Sequence, residues 1–343
     1  KARGLRSRKM RPLRILHRRV SGICTEGILN DMEITTIRPG GVWVLGFFDG
    51  VHRGHRVLLD AAREMAGENG YVGVWTFRSL PKARELLTTP DERESLLCEA
   101  GADTVCFADF DTVREMDGRS FFRDELCARL NPAGIVCGFN FRFGYRGQSG
   151  ADALSEWCGE AGIPVRVLPA AESDGRVISS TWIRQLVAQG AVDRAAELLT
   201  HPYTIRGVVE HGRHLGHTLG FPTVNIRLTP GKVAPKSGIY AARVRFPEGD
   251  TVRELPGVCN IGSRPTVNDD AGDVTVETYI IGCTADLYGA RIAVSLYRYL
   301  RGEIRFPDLA ALSAQIGRDA AATARYFAEN GTDEVQNNGN KTE

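Results

Sequence analysis

The sequence predicts an α/β chain in which a doubly wound parallel sheet is followed by a small antiparallel β-barrel with a C-terminal helix. From Val42 to Leu168 apolar strand runs alternate with helical patterns, the order that joins parallel strands through crossover helices. Beyond about Thr200 the texture changes to short β-rich runs punctuated by Gly and Pro, the spacing of a small barrel. The length of 343 residues suits two domains of roughly 150 residues each. The expected division is a basic extension over 1–31 without ordered structure, a parallel-sheet domain over 32–200, a barrel domain over 201–330 and a polar tail over 331–343.

The first strand, ending at Leu45, runs into Gly46-Phe47-Phe48-Asp49-Gly50-Val51-His52-Arg53-Gly54-His55. An amphipathic helix follows, with Leu58, Leu59, Ala62, Met65 and Ala66 on its apolar side. Tyr71–Phe77, Thr104–Phe107, Gly134–Gly138 and Pro164–Leu168 read as further strands; Asp91–Ala100, Ser120–Leu130 and Ala151–Gly162 have helical spacing. Two short helical patterns over Gln185–His201 lead to β-rich runs at Tyr203–Glu210, Gly238–Phe246, Val252–Ile261, Val274–Ile281 and Arg291–Tyr299. Leu309–Ala328 then closes the domain as an amphipathic helix carrying Leu312, Ile316, Ala320 and Phe327 near one face.

A hydrophobic content of 43% and a charged content of 25% belong to an ordinary soluble globular chain. No apolar run approaches the ~20 residues of a membrane span. The eight cysteines include no C-x-x-C and no paired zinc spacing, so they read as reduced thiols of a cytoplasmic protein. The net charge of +1 conceals nine Lys/Arg against two acidic residues in 1–31, leaving the body acidic. That segment has no aromatic interleaving, so nucleic acid is not expected as a partner, and translation is expected to begin naturally at Met32.

Chemistry concentrates at two places. His52 and His55 stand at the mouth of a helix, where free N–H groups and the helix dipole favour phosphate, and a three-residue spacing lets both imidazoles face one anion. Two later segments converge on the same sheet edge. In Gly138-Phe139-Asn140-Phe141-Arg142-Phe143-Gly144 the glycines and amide suit a flavin or nucleotide. In Ile178-Ser179-Ser180-Thr181-Trp182-Ile183-Arg184 hydroxyls at a helix start, with a guanidinium close behind, suit a triphosphate. In the barrel, the glycine-rich loop from His211 through Gly216 and Gly220 ends in Thr223 and Asn225, hard oxygen donors suited to Mg²⁺ carried with ATP.

The decapeptide Gly46–His55 resembles the G-x-F-D-G-V-H-x-G-H signature of the bacterial bifunctional riboflavin kinase/FAD synthetases. The segments at 138–144 and 178–184 are similar to that family's G-x-[DN]-F-x-F-G and I-S-S-T-x-I-R patterns. The barrel segment ending in Phe221-Pro222-Thr223-Val224-Asn225 resembles its kinase motif G-R-x-L-G-F-P-T-A-N. Asn260-Ile261-Gly262-Ser263-Arg264-Pro265-Thr266, Val276-Glu277 with Asp286-Leu287-Tyr288-Gly289, and Leu300-Arg301-Gly302-Glu303 match further segments in order. The chain departs from the family at Leu80, where a histidine is common, at Trp182, where an arginine is common, and at His217, Val224, Tyr279, Gly282 and Cys283.

The resemblance implies an enzyme that phosphorylates riboflavin to FMN and then transfers an adenylyl group from ATP to give FAD, with Mg²⁺ accompanying ATP. It implies Glu277 as the base of the kinase and His52 and His55 as catalytic residues of the transferase. It assigns Gly46, Phe48, Asp49, Gly50, Ser179, Ser180, Thr181, Arg184, Gly216, Gly220, Thr223 and Asn225 to ATP and its phosphates, and Asn140, Phe143, Arg301 and Glu303 to the flavin. Thr223 and Asn225 are also the metal ligands. The departures at Leu80 and Trp182 motivate one alternative, a kinase whose first domain only binds nucleotide; a second, against which Glu277, Thr223 and Asn225 argue, is a non-catalytic flavin-binding regulator.

Overall fold

The computed structural model describes residues 15–16 (backbone), 40–79, 85–211, 220–263 and 274–330. Leu80, Gly216, His217, Arg264–Thr266, most of the basic extension and the 331–343 tail lie outside these residues. The chain divides into two compact units, residues 1–180 and 181–343.

The first unit is built on β1 (Ile15–Leu16), β2 (Val42–Leu45), β3 (Val72–Phe77), β4 (Thr104–Ala108), β5 (Gly134–Gly138) and β6 (Val165–Leu168), in the order β1-β4-β3-β2-β5-β6. All neighbours are parallel except β1, which runs antiparallel to β4 with Ile15 opposite Cys106. The extension expected to lack structure thus contributes an edge strand. An open edge at β4 offers unpaired N–H and C=O groups, and Ile15-Leu16 is an apolar pair within the basic run.

Both faces of this sheet are covered, as a parallel sheet requires. Val42 and Val44 of β2 pack with Leu58, Leu59 and Ala62 of α1 (Arg53–Ala66) and Leu97 of α2 (Pro90–Glu99). Trp43 and Leu45, pointing the other way, pack with Phe121, Phe122 and Leu126 and with Leu154 and Cys158 of α3 (Ala151–Ala161). Residues Phe121–Leu130 form a π-helix rather than the expected α-helix. Its buried positions, Phe121, Phe122, Glu125, Leu126 and Leu130, recur every four to five residues, which suits i→i+5 bonding.

The strand order reverses around β2. The loop leaving β2 and the loop leaving β5 therefore flank the crevice where open α/β sheets bind ligands. These loops carry the His52/His55 and Asn140 motifs.

The second unit opens with the body of α4 (Ser180–Gln189) and α5 (Val192–Leu199). Its six strands are β7 (Tyr203–Val208), β8 (Thr223–Arg227), β9 (Gly238–Glu248), β10 (Thr251–Ser263), β11 (Val274–Ile280) and β12 (Arg291–Arg301). They form one antiparallel sheet in the order β7-β12-β9-β10-β11-β8. A bridge between Glu210 and Asn225 brings its two edges back together, curling it toward a barrel. Strand β8 falls in what the sequence reads only as the end of a phosphate loop. The closing helix α6 (Leu309–Glu329) buries Asp319, Thr323 and Phe327.

The contact division precedes the change of texture at Thr200 by about twenty residues, because texture does not say which core a helix serves. Helix α5 buries Val192, Ala195, Leu198 and Leu199 and packs on β7 and β12. A fragment beginning at Thr181 should therefore be more stable than one beginning at His201, by about 5 kcal/mol at roughly 1.5–3 kcal/mol per buried aliphatic side chain. Urea unfolding of the two fragments checks this; equal midpoints would mean α5 contributes nothing to the barrel.

Candidate functional site

In the first unit the β2 loop is held in an unusual backbone. Phe48, Gly50 and Val51 all have positive φ, at 60°, 81° and 40°. For a β-branched residue such as Val51 that conformation is strained, and strain of this kind gathers at functional sites. Gly46 has no room for a side chain, since a Cβ there would lie 2.9 Å from the Phe48 ring. The Asp49 carboxylate, 1% exposed, accepts from the amides of Leu87 (2.8 Å) and Thr88 (3.2 Å), and the Gly50 N–H donates to the Thr88 hydroxyl at 3.1 Å.

These contacts give structural partners to two residues assigned to ATP. Asp49 ties the loop to residues 87–88, and the buried Phe48 ring packs edge-on against His55 at 5.1 Å. Both residues help to shape the loop.

His52 is the N-cap of α1 but uses no side-chain cap, and the first helical turn holds no acidic residue. The two imidazoles stack with centroids 3.6 Å apart. Gly54 permits this, because a Cβ there would already sit 3.2 Å from the His52 ring. Both Nδ1 atoms are buried without a hydrogen-bond partner among the described residues, as is Nε of Arg56. A helix N-terminus free of carboxylates, with imidazole and guanidinium nitrogens left unsatisfied, is a site prepared for an anion.

Ser180 reaches the same loop, its hydroxyl donating to the Asp49 carbonyl at 2.9 Å, so residues 131 apart in sequence are brought together. Ser179 precedes it. Thr181 and Arg184 lie on α4 in the second unit, where the Arg184 guanidinium donates to the Thr181 hydroxyl at 3.0 Å. Trp182 lies under the Arg194 guanidinium at 5.8 Å.

Sequence reasoning missed Arg93, which looks like one more charge in a polar helix. It is 0% exposed. Its Nη2 donates to the carbonyls of Phe77 (2.6 Å) and Arg78 (2.7 Å), while the guanidinium lies 4.6 Å over the ring of Phe47 in the β2 loop. Its Nε and Nη1 find no partner among the described residues. Burial pushes its pKa down to about 10, and Asp49 opposes that fall.

Burial likewise pushes His52 down to about 4, and His55 well below the ordinary imidazole range, where the positive charges of His52 and Arg93 add to the effect. Both rings are therefore neutral at neutral pH. Above pH 6.5 neither the folded nor the unfolded chain protonates them; as pH falls from 6.5 toward 4 only the unfolded chain does, so stability is lost. His52 alone should cost about 2 kcal/mol by pH 5. Urea unfolding followed by the buried Trp43 and Trp75 should show this loss between pH 7.5 and 5, and a flat profile would mean the imidazoles are not held neutral.

Of the residues assigned to the flavin in this unit, Phe143 sits in the core. It is 5% exposed and packs against Phe121, Phe141 and Trp157. The exposed ring of that loop is Phe139, at 55%. Asn140 is also exposed, with Oδ1 turned back over Gly138.

In the second unit Thr223, Asn225 and Glu277 meet on one face of the curled sheet. Asn225 is the cross-strand partner of Glu277, and Thr223 that of Tyr279. The Thr223 hydroxyl donates to Glu277 Oε1 at 2.8 Å. Gly220 makes the turn into β8 with φ at 77°, and Phe221 packs edge-on against Tyr279 at 5.1 Å. His211 stacks on Tyr288 at 4.2 Å, joining the start of the glycine-rich loop to the Asp-Leu-Tyr-Gly segment.

Arg301, assigned to the flavin by the resemblance, is held by an ion pair. Its guanidinium donates to both Asp319 carboxylate oxygens at 3.1 and 2.6 Å and to the Gly302 carbonyl at 3.0 Å. Glu303, which follows, is exposed, and its Oε1 stands 3.2 Å from where a Cβ on Gly262 would be.

Among the described residues no three His, Cys, Asp or Glu gather to hold a metal, and no helix is long and apolar enough to cross a membrane. The neutral oxygens of Thr223 and Asn225 fit Mg²⁺ that arrives with phosphates and keeps its waters, not one held in a protein cage.

Two family models match the chain: FAD synthetase over residues 35–182 and riboflavin kinase over 199–327. A crystal structure described as a macrolide-efflux protein from Streptococcus pneumoniae superposes with a TM-score of 0.75 at 28% identity, covering 83% of this chain and 94% of that one. The bifunctional riboflavin kinase/FMN adenylyltransferase of Listeria monocytogenes is 31% identical over 297 residues, 84% of this chain and 93% of that protein. Its counterpart in Escherichia coli K12 is 38% identical over 301 residues, 84% of this chain and 94% of that protein. With both halves matched in order and relatives aligned along nearly their whole length, the chain belongs to the bifunctional riboflavin kinase/FMN adenylyltransferase family.

Proposed function

We propose that the second unit phosphorylates riboflavin to FMN and that the first adenylylates FMN to FAD, each step consuming one ATP. The observation that carries this reading is the 2.8 Å hydrogen bond between Thr223 and Glu277, which sets a phosphate-side hydroxyl against a carboxylate on one sheet face.

In the kinase, Glu277 takes the proton of the terminal ribityl hydroxyl as its oxygen bonds to the γ-phosphorus of ATP. The bond from that phosphorus to ADP breaks, and ADP leaves with the electron pair. Thr223 and Asn225 hold the phosphates and the Mg²⁺ that accompanies them. That ion, when bound, neutralises charge on the transferring group. The rest of the rate comes from positioning.

In the transferase, an FMN phosphate oxygen attacks the α-phosphorus of ATP and pyrophosphate departs. The nucleophile is already anionic, so no base is required. His52 and His55 donate to the triphosphate, and Arg56 adds its charge. Ser179 and Ser180 complete the phosphate site, with Gly46 and Gly50 giving the loop its close backbone approach. Asn140 and the exposed Phe139 face the flavin in the first unit, and Glu303 does so in the second. Riboflavin, FMN and ATP are thus the partners, in the cytoplasm.

Chromatography of products from riboflavin, ATP and Mg²⁺ tests both halves. FAD with transient FMN is expected. FMN alone would leave only the kinase, and neither product would defeat the whole reading.

A further inference from the structure

On the far side of Glu277 from Asn225 stands Asn260. Strand register places Asn225, Glu277 and Asn260 directly opposite one another on β8, β11 and β10, so the three side chains share one face. The next residue in the row, on β9, is Ile239. The Asn260 amide oxygen is buried and has no hydrogen-bond partner among the described residues.

Its neighbours explain why. On one side lies a carboxylate, which only accepts; on the other lies an aliphatic side chain, which offers no donor. A buried acceptor left in this state costs desolvation free energy that a purely structural residue has no reason to retain. An alanine or leucine would fill the position without that cost.

The missing donor belongs to a ligand, and the geometry says which one. Neighbouring strands lie about 4.8 Å apart, so Asn225 and Asn260 are separated by about 10 Å of backbone with Glu277 between them. Magnesium binds at about 2.1 Å, and one ion on Asn225 does not also reach Asn260. In-line transfer puts the attacking oxygen opposite the leaving group, so phosphates on the Asn225 side leave the Asn260 side for the alcohol. Glu303 lies on that side too, its carboxylate beside Gly262, two residues along β10 from Asn260.

We propose that Asn260 is a substrate-binding residue of the kinase site, its amide oxygen accepting a hydrogen bond from the ribityl hydroxyl next to the one that is phosphorylated. The sugar chain is then held at two successive hydroxyls, one on Glu277 and one on Asn260, which fixes the terminal oxygen in line with the γ-phosphorus. This rests on the kinase reading given above.

The test is Asn260→Leu in the full chain, with KM for riboflavin and for ATP, FAD formation from supplied FMN, and the thermal midpoint all measured. Loss of one hydrogen bond to substrate should raise KM for riboflavin roughly tenfold. KM for ATP and adenylyl transfer should stay within twofold of wild type, and the midpoint should hold or rise because the orphan acceptor is gone. A structural residue would instead lower the midpoint and leave KM for riboflavin in place, which would overturn the proposal. So would a rise confined to KM for ATP.

An independent arm uses the wild-type enzyme and a flavin whose sugar chain keeps the terminal hydroxyl but lacks its neighbour. Wild type should handle it as the leucine variant handles riboflavin, and the variant should lose nothing more, as a shared interaction requires. An additive loss overturns the proposal even if the variant folds poorly. Absence of FMN from wild type under all conditions would instead defeat the kinase reading itself.

Discussion

Glu277→Gln should reduce FMN formation by roughly 10²–10⁴-fold, the contribution of a positioned base. The substitution keeps the shape of the side chain, and its amide can still meet the Thr223 hydroxyl, so the sheet face survives. What it loses is the ability to take a proton. FAD formation from supplied FMN should continue, because that chemistry sits in the other unit and needs no base. Separate assays with riboflavin and with FMN check this. Unchanged phosphorylation would remove Glu277 from the mechanism, and parallel loss of both activities would mean the variant is misfolded.

The complementary result is expected from His55→Ala. Removing one preorganised donor to a transferring phosphate typically costs 10²–10³-fold, so pyrophosphate release from ATP and FMN should fall by that factor while phosphorylation of riboflavin is untouched. The His55 ring also packs between Phe48 and His52, so the alanine leaves a gap. His55→Asn restores a polar side chain there and should recover part of the rate. If wild type releases no pyrophosphate at saturating FMN, the transferase half fails and a kinase-only enzyme takes its place.

Much of this architecture is legible in the sequence because its signals are periodic and local. The alternation of apolar strands with amphipathic helices between Val42 and Leu168 leaves little choice but a parallel sheet covered on both faces. The Gly-rich signatures then place the site, since glycines at strand ends mark where backbone must approach closely.

What the sequence hides is whatever depends on distant partners. Asp49 sits inside a motif, and nothing local shows that its carboxylate is bound by the amides of residues 87–88. Phe143, in another motif, is core. Arg93 sits in a run of charges, and nothing local in it signals burial against Phe47 and Phe107. Strand β8 is short and lies under phosphate-loop residues, so its pattern is masked by its chemistry. The positive φ of Val51 has no residue signature at all, because it is imposed by the loop around it.

The tether between Arg301 and Asp319 has a bearing on how the enzyme is made. Synthesis runs from the first unit to the last helix, so Glu277 and both strands flanking it are finished well before Asp319 leaves the ribosome. Until then the Arg301 guanidinium at the end of β12 lacks its carboxylate partner. The first unit is therefore synthesised in full before the residue that tethers the end of β12 is made.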